Sequence, residues 1–331
     1  MDQAQFTEAR PTARRGTSRL SYGFVGLGNL GARLAGNLAQ AGFQVCVTDL
    51  APERAGEVVA AGAQWADTAA EAAHGRDAVI TCLPSPKISE ELLLGSGALL
   101  DAMEPGATWI EMSTVDIDAI TRLAGVAAER GIDTLEAPVT GGVHRAANGT
   151  ITVLVGGREE VLEAHRPAFE AMCGPLFHLG DVGAASTIKV ITNMLAFDHL
   201  IAAAEAMLLA KKAGLDLRQC YEVIRASSGS SVEFESVMPV ILSGTFDTNF
   251  TMELACKDLG IAMRLGRKLD VPLKLSELVD QLFIEGRETF GPSAWTANIV
   301  KLMEDTTGVA LRADGFPGVM TEGGTLDDQD K

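Results

Sequence analysis

Apolar residues recur along this chain with two different periods, and the change from one to the other divides it. Between residues 21 and 179, short β-branched and apolar runs alternate with alanine-rich stretches of helical periodicity. That alternation predicts a parallel sheet covered by helices. The predicted strands are 22–25, 43–48, 78–83, 108–112, 132–137, 151–155 and 176–179. Leu30, Leu34 and Leu38 recur at i, i+4, i+8 on one face of a helix that Gly42 ends, and residues 117–130 form another such helix. After Gly183 the texture changes, because residues 184–213 contain neither glycine nor proline. At 1.5 Å per residue they make one helix of roughly 45 Å, long enough to link two domains. Helical periodicity then continues through 217–226, 232–242, 254–269, 274–285 and 294–303. The expected architecture is therefore α/β: a doubly wound parallel sheet over 21–183, a long interdomain helix, and an all-α C-terminal domain ending near 313. Residues 1–20 are expected to be a disordered tail, and 314–331, with Gly315, Gly318, Gly323 and Gly324 among acidic residues, a flexible one.

Composition narrows the class. The chain has 331 residues, 47% of them hydrophobic, which is enough for two cores. No continuous apolar run reaches the 18 or more residues of a membrane span, so a soluble, cytoplasmic protein is expected. Arg10, Arg14, Arg15 and Arg19 hint at a transit peptide, but Asp2 and Glu8 interrupt them and no apolar face accompanies them. Cys46, Cys82, Cys173, Cys220 and Cys256 are widely spaced with no CxxC pair, which supports neither disulfides nor a metal cluster. A formal net charge of −17 disfavours nucleic acid and anionic membranes as partners.

The first candidate site is the loop Gly26-Leu27-Gly28-Asn29-Leu30-Gly31. A lone GxGxxG can be no more than a tight turn. Here it follows an apolar strand and opens an amphipathic helix, the context of a Rossmann-type dinucleotide site. Uncapped N–H groups at that helix start suit a pyrophosphate. Asp49, 18 residues after Gly31 at the end of the second strand, is placed to accept hydrogen bonds from an adenosine ribose diol. Its charge would repel a 2′-phosphate, and Leu50, Ala51 and Pro52 follow it, so NAD is favoured over NADP; Glu53-Arg54 speaks less clearly.

Candidate chemistry lies further along. Lys189 and Asn193 share a face of the long helix at i, i+4 spacing, among Ile188, Val190, Ile191, Met194 and Leu195. Such a lysine either points to solvent or is partly buried with a lowered pKa suited to proton transfer. Thr140-Gly141-Gly142, after a predicted strand, offers a hydroxyl and two unhindered amides to a carboxylate, or is simply a turn. Ser113-Thr114 ends another strand at the edge where a cofactor lies. Lys257-Asp258 begins a helix, where an ordinary surface ion pair is the plain alternative.

Taken together and in this order, these segments resemble the β-hydroxyacid dehydrogenase family, which includes 3-hydroxyisobutyrate dehydrogenase and tartronate semialdehyde reductase. The resemblance covers roughly residues 22–316. It rests on Gly26, Gly28 and Gly31, on Leu83-Pro84, on Ser113-Thr114, on residues 136–142 with Ala146, Gly149 and Thr150, on Gly183 with Lys189 and Asn193, and on Lys257-Asp258-Leu259. It implies that Lys189 is the catalytic base, and that Thr140, Gly141, Gly142 and Asn193 hold a small hydroxycarboxylate. It further implies that Gly26, Leu27, Gly28, Asn29, Leu30, Asp49, Leu83, Pro84, Thr114 and Lys257 hold NAD. Homodimers or homotetramers are also implied. Glu136 and Thr140 stand where the family usually has Asp and Ser, and Thr192 where many members have a second Asn. Segments 227–231 and 244–250 are assigned to the far wall of the site, and His144, His178 and His199 are left structural. An imine reductase on the same architecture usually lacks the lysine. A non-catalytic NAD-binding sensor is the reading from a different class.

Overall fold

The computed structural model describes residues 19–321. Six parallel strands form the main sheet: β1 (Ser21–Val25), β2 (Gln44–Thr48), β3 (Gln64–Trp65), β4 (Ala78–Thr81), β5 (Thr108–Glu111) and β6 (Asp133–Glu136). Their order is β3-β2-β1-β4-β5-β6. In register, Phe24 of β1 lies between Val47 of β2 and Ile80 of β4. Both faces are covered, as fully apolar strands require. On one face Phe24, Ile80 and Ile110 pack with Leu34 and Leu38 of the helix Gly31–Gln40. On the other, Val25, Val79 and Trp109 pack with Ile120, Leu123 and Ala127 of the helix Ile117–Glu129. Strand order reverses between β1 and β4, so a crevice opens at their carboxyl ends.

The last two predicted strands do not join this sheet. β8 (Thr152–Val155) and β9 (Leu176–His178) pair in parallel, and β7 (Val139–Thr140) runs antiparallel to β8. The reversal follows Pro138 and is completed by Gly141 and Gly142, whose φ values of +123° and +90° are glycine conformations. β3 and β7, two residues each, are too short to leave a period in the sequence.

The helix Ala184–Lys212 is the spine of the second region. Leu217–Arg225, Val232–Ser243, Met252–Lys268, Lys274–Phe290 and Val300–Thr307 pack around it, over a core that includes Phe197, Ile201, Leu208, Met238, Leu259 and Phe283. Residues 294–303 are not one helix: a 3-10 turn, Thr296–Ile299, precedes Val300–Thr307. By length and composition alone the spine is also apolar enough to cross a membrane, with a mean hydropathy of 1.3 in its most apolar stretch. Polar residues interrupt it and are partnered within the protein: Lys189 by Asn193, Asn193 by Asp258, and Asp198 by the Ser276 hydroxyl.

Residues 1–18 and 322–331 lie outside the described residues. Residues 314–321, expected to be flexible, pack instead: Phe316 is buried, edge-on to Tyr221 at 5.2 Å and beneath the Arg218 guanidinium. An aromatic ring among glycines and acids contributes to that anchoring.

Candidate active site

The three glycines of the loop after β1 have different jobs. A Cβ on Gly26, at φ +99°, would fall 2.3 Å from the Cys82 carbonyl oxygen, and one on Gly31 would fall 2.1 Å from that of Gly26. Those two let strand, loop and helix close on one another. A Cβ on Gly28 would meet nothing within 4 Å. Gly28 therefore faces open space at the start of a helix that has no side-chain cap at Leu30. A pyrophosphate fits that opening, and the helix dipole favours it.

Asp49 is engaged within the glycine loop itself. Its Oδ2 accepts the Leu27 N–H at 2.6 Å and its Oδ1 the Ala51 N–H at 2.9 Å, so it holds the glycine loop in shape. Each oxygen keeps a lone pair for a diol. Arg54 Nη1 stands 4.0 Å from Oδ1. Asn29 Nδ2 reaches across to the Asn249 carbonyl at 3.4 Å, which ties segment 244–250 to the glycine loop.

At the next strand ends, Ser113 Oγ accepts the Leu83 N–H at 2.7 Å, and the Ser113 N–H donates to Glu111 Oε1 at 2.8 Å. This fixes the Leu83-Pro84 and Ser113-Thr114 loops relative to each other. Glu111 is completely buried, and burial pushes its carboxyl above the usual range. The Cys82 thiol beside it is pushed up to about 12, first by burial and then by Glu111, so it is no nucleophile.

The long helix starts at Gly183, φ +105°, with no cap of its own. Glu136 at the end of β6 supplies one. Its Oε1 accepts the N–H groups of Gly183 (2.6 Å) and Ala185 (2.8 Å), and its Oε2 the N–H (3.1 Å) and hydroxyl (2.5 Å) of Ser186. One turn later Lys189 is only 8% exposed. Of the two orientations open in the sequence, it takes the buried one. Its Nζ donates to Asn193 Oδ1 at 2.7 Å, Asn193 Nδ2 donates to Asp258 Oδ2 at 2.6 Å, and Lys257 Nζ lies 2.9 Å from Asp258 Oδ1. Lys257 also donates to the Thr114 carbonyl at 3.1 Å, which carries the chain of contacts to the other side of the cleft. Burial lowers the Lys189 pKa to about 8; Asp258 opposes that shift and Lys257 adds to it. The helix bearing Lys189 packs against β7, which bears Thr140.

Asp258 was underrated in the sequence as half of a surface pair. The helix Met252–Lys268 begins six residues before it, capped by Thr251, so Lys257-Asp258 lies in its second turn rather than at its start. Asp258 is 1% exposed and shares a face with the buried Ala255, Leu259 and Ala262. An acid inside an i, i+4, i+7 apolar stripe was the available signal. Among the histidines, His178 Nε2 is 2.8 Å from the Gly157 carbonyl, a loop contact away from this network.

This chain is similar in sequence and fold to known proteins. Residues 21–180 match the family model described as the NAD binding domain of 6-phosphogluconate dehydrogenase, and residues 183–303 that described as NAD-binding of NADP-dependent 3-hydroxyisobutyrate dehydrogenase. A 2-(hydroxymethyl)glutarate dehydrogenase from Eubacterium barkeri is 36% identical over 88% of this chain and 97% of its own length. An NAD-dependent L-serine dehydrogenase from Pseudomonas aeruginosa is 39% identical over 72% of this chain and 83% of its own. The solved 3-hydroxyisobutyrate dehydrogenase of Mycobacterium tuberculosis, described with L-serine, superposes with a TM-score of 0.77 at 31% identity, covering 86% of this chain and 99% of that one. With two NAD-binding family models in tandem, a crevice at the β1–β4 switch point and relatives aligned over nearly their full length, this chain belongs to the NAD-binding β-hydroxyacid dehydrogenase family of oxidoreductases.

Proposed function

We propose that this protein interconverts a small β-hydroxyacid and its semialdehyde or ketone, with Lys189 as the proton-transferring group and NAD preferred over NADP. The observation that carries the reading is the burial of Lys189 in contact with Asn193, with a pKa near 8, on a helix packed against the strand of Thr140. A lysine in that state is neutral in a substantial fraction of molecules at neutral to mildly alkaline pH, so it can take a hydroxyl proton. NAD, when bound, supplies the hydride acceptor for the carbon that carries the hydroxyl. Gly26, Leu27, Gly28, Asn29 and Leu30 would hold its pyrophosphate, Asp49 its ribose, and Leu83, Pro84, Thr114 and Lys257 the nicotinamide side. Thr140, Gly141 and Gly142 would receive the substrate carboxylate, and Asn193 would orient both substrate and Lys189. The same reading gives residues 21–183 to the cofactor and 184–313 to substrate closure and self-association, in a cytoplasmic homodimer or homotetramer.

The substrates named for the relatives share a hydroxymethyl or secondary alcohol near a carboxylate, and they define the panel to assay: 3-hydroxyisobutyrate, 2-(hydroxymethyl)glutarate, L-serine and L-threonate. Formation of NADH with at least one of them, slower with NADP, is the expected result. No reduction of either cofactor by any of the four would overturn the assignment. The imine reductase reading is weaker because it leaves the buried Lys189–Asn193–Asp258 chain without a purpose.

A further inference from the structure

The last described residues run from the helical region to the loop that would bind the substrate carboxylate. The Ala313 N–H donates to the Leu242 carbonyl at 3.0 Å, and Arg218 Nη2 donates to that of Asp314 at 3.0 Å. Phe316 is held between Tyr221 and Arg218, and Thr245 Oγ1 donates to the Gly318 carbonyl at 2.8 Å. The path is narrow: a Cβ on Gly315 would fall 1.7 Å from Arg218 Nη2, and one on Gly318 3.0 Å from Thr245 Cγ2. Past these anchors Met320 is half-buried against the helical core, and its methyl lies 3.9 Å from the place a Cβ would take on Gly142. Thr321 follows with its hydroxyl buried and without a hydrogen-bond partner among the described residues.

We propose that residues 314–321 form a strap that walls the carboxylate end of the substrate against the Thr140-Gly141-Gly142 loop. Met320 sets the room beside that end, and Thr321 supplies a hydroxyl to it. The inference rests on the function proposed above. The segment is tied at four places before it reaches Gly142. A buried hydroxyl without a partner is costly, and a ligand oxygen next to a carboxylate-binding loop would satisfy it. A thioether at Met320 is a wall that adapts, suited to acids that differ in the group beside the carboxylate. The strap belongs to the helical side while the loop belongs to the sheet side, so substrate bound between them would hold both.

The test compares full-length wild type with Met320→Ala, Thr321→Val and Met320→Leu, using whichever acid of the panel the wild type turns over. Met320→Ala and Thr321→Val are each expected to raise KM for the hydroxyacid about tenfold, with KM for NAD unchanged. Met320→Leu, which keeps an apolar wall of similar volume, is expected to raise KM less than Met320→Ala does. Hydrogen exchange gives a readout independent of the variants: adding the hydroxyacid to the NAD-saturated wild type should slow exchange in the peptide covering 314–321. Wild-type KM values in both Met320→Ala and Thr321→Val, or exchange in 314–321 that the hydroxyacid leaves unchanged, would overturn the strap. A wild type that oxidises none of the panel would instead overturn the proposed function.

Discussion

Lys189 sits between opposing influences, and each can be removed separately. Burial lowers its pKa to about 8, the Asp258 carboxylate raises it, and the Lys257 ammonium lowers it. Only the neutral amine accepts a proton, so the rate of alcohol oxidation should rise with pH along a limb centred near 8. Asp258→Asn removes the group that favours the charged amine, so the midpoint of that limb should move to lower pH. Lys257→Met removes a neighbouring cation, so it should move to higher pH. A pH–rate profile for each variant checks both signs, and midpoints that stay in place would show that Lys189 is not the titrating base. Lys189→Ala should lower kcat by about 10²- to 10⁴-fold while the dissociation constant for NAD, measured by calorimetry, changes little. Unchanged turnover would remove Lys189 from the mechanism.

At the level of elements, two junctions decide whether the site exists. The first is the start of the long helix, where Glu136 accepts four hydrogen bonds that the helix cannot make for itself. Glu136→Ala leaves those donors buried and unpaired, and should lower unfolding stability by about 2–4 kcal/mol in a denaturant titration. It should also lower kcat, because Lys189 is only one turn further on. Glu136 acts here as the cap of that helix. The second junction is the glycine loop, where structural and cofactor roles separate. Gly26→Ala places a Cβ 2.3 Å from a backbone oxygen and should damage the fold, which a lowered melting temperature would register. Gly28→Ala meets no protein atom, so it should melt like wild type and yet bind NAD at least about tenfold more weakly, since the added methyl enters the space proposed above for the pyrophosphate. Normal NAD affinity in Gly28→Ala would place the cofactor elsewhere.

Over the whole molecule, the two regions meet at Asn29 with Asn249, at Lys257 with Thr114, and at the strap beside Gly142. The long helix also keeps an apolar stripe uncovered: Leu195 is 44% exposed and Leu209 73%, 14 residues or roughly four turns apart on one side. That stripe fits the proposed self-association, so sedimentation should give a dimer or larger species, and Leu209→Glu should weaken it; a wild-type monomer would overturn that part of the proposal. Much of this was legible in the chain before folding, because it depends on neighbours in sequence. Strand and helix periods, the glycine turn after β1, Asp49 at the end of β2 and the i, i+4 spacing of Lys189 and Asn193 are local patterns. What remained hidden depends on segments distant in sequence. Asp258 became part of the lysine network only when two helices packed, and Glu136 became a cap only when β6 met a helix start 47 residues away. Gly141 and Gly142 turned β7 back onto β8 in a separate sheet, and Phe316 pulled a glycine-rich end onto the fold. Local sequence sets backbone preference and the face each residue occupies. Burial, pKa and the partner of a charge arise from the surroundings, which no short stretch of chain carries.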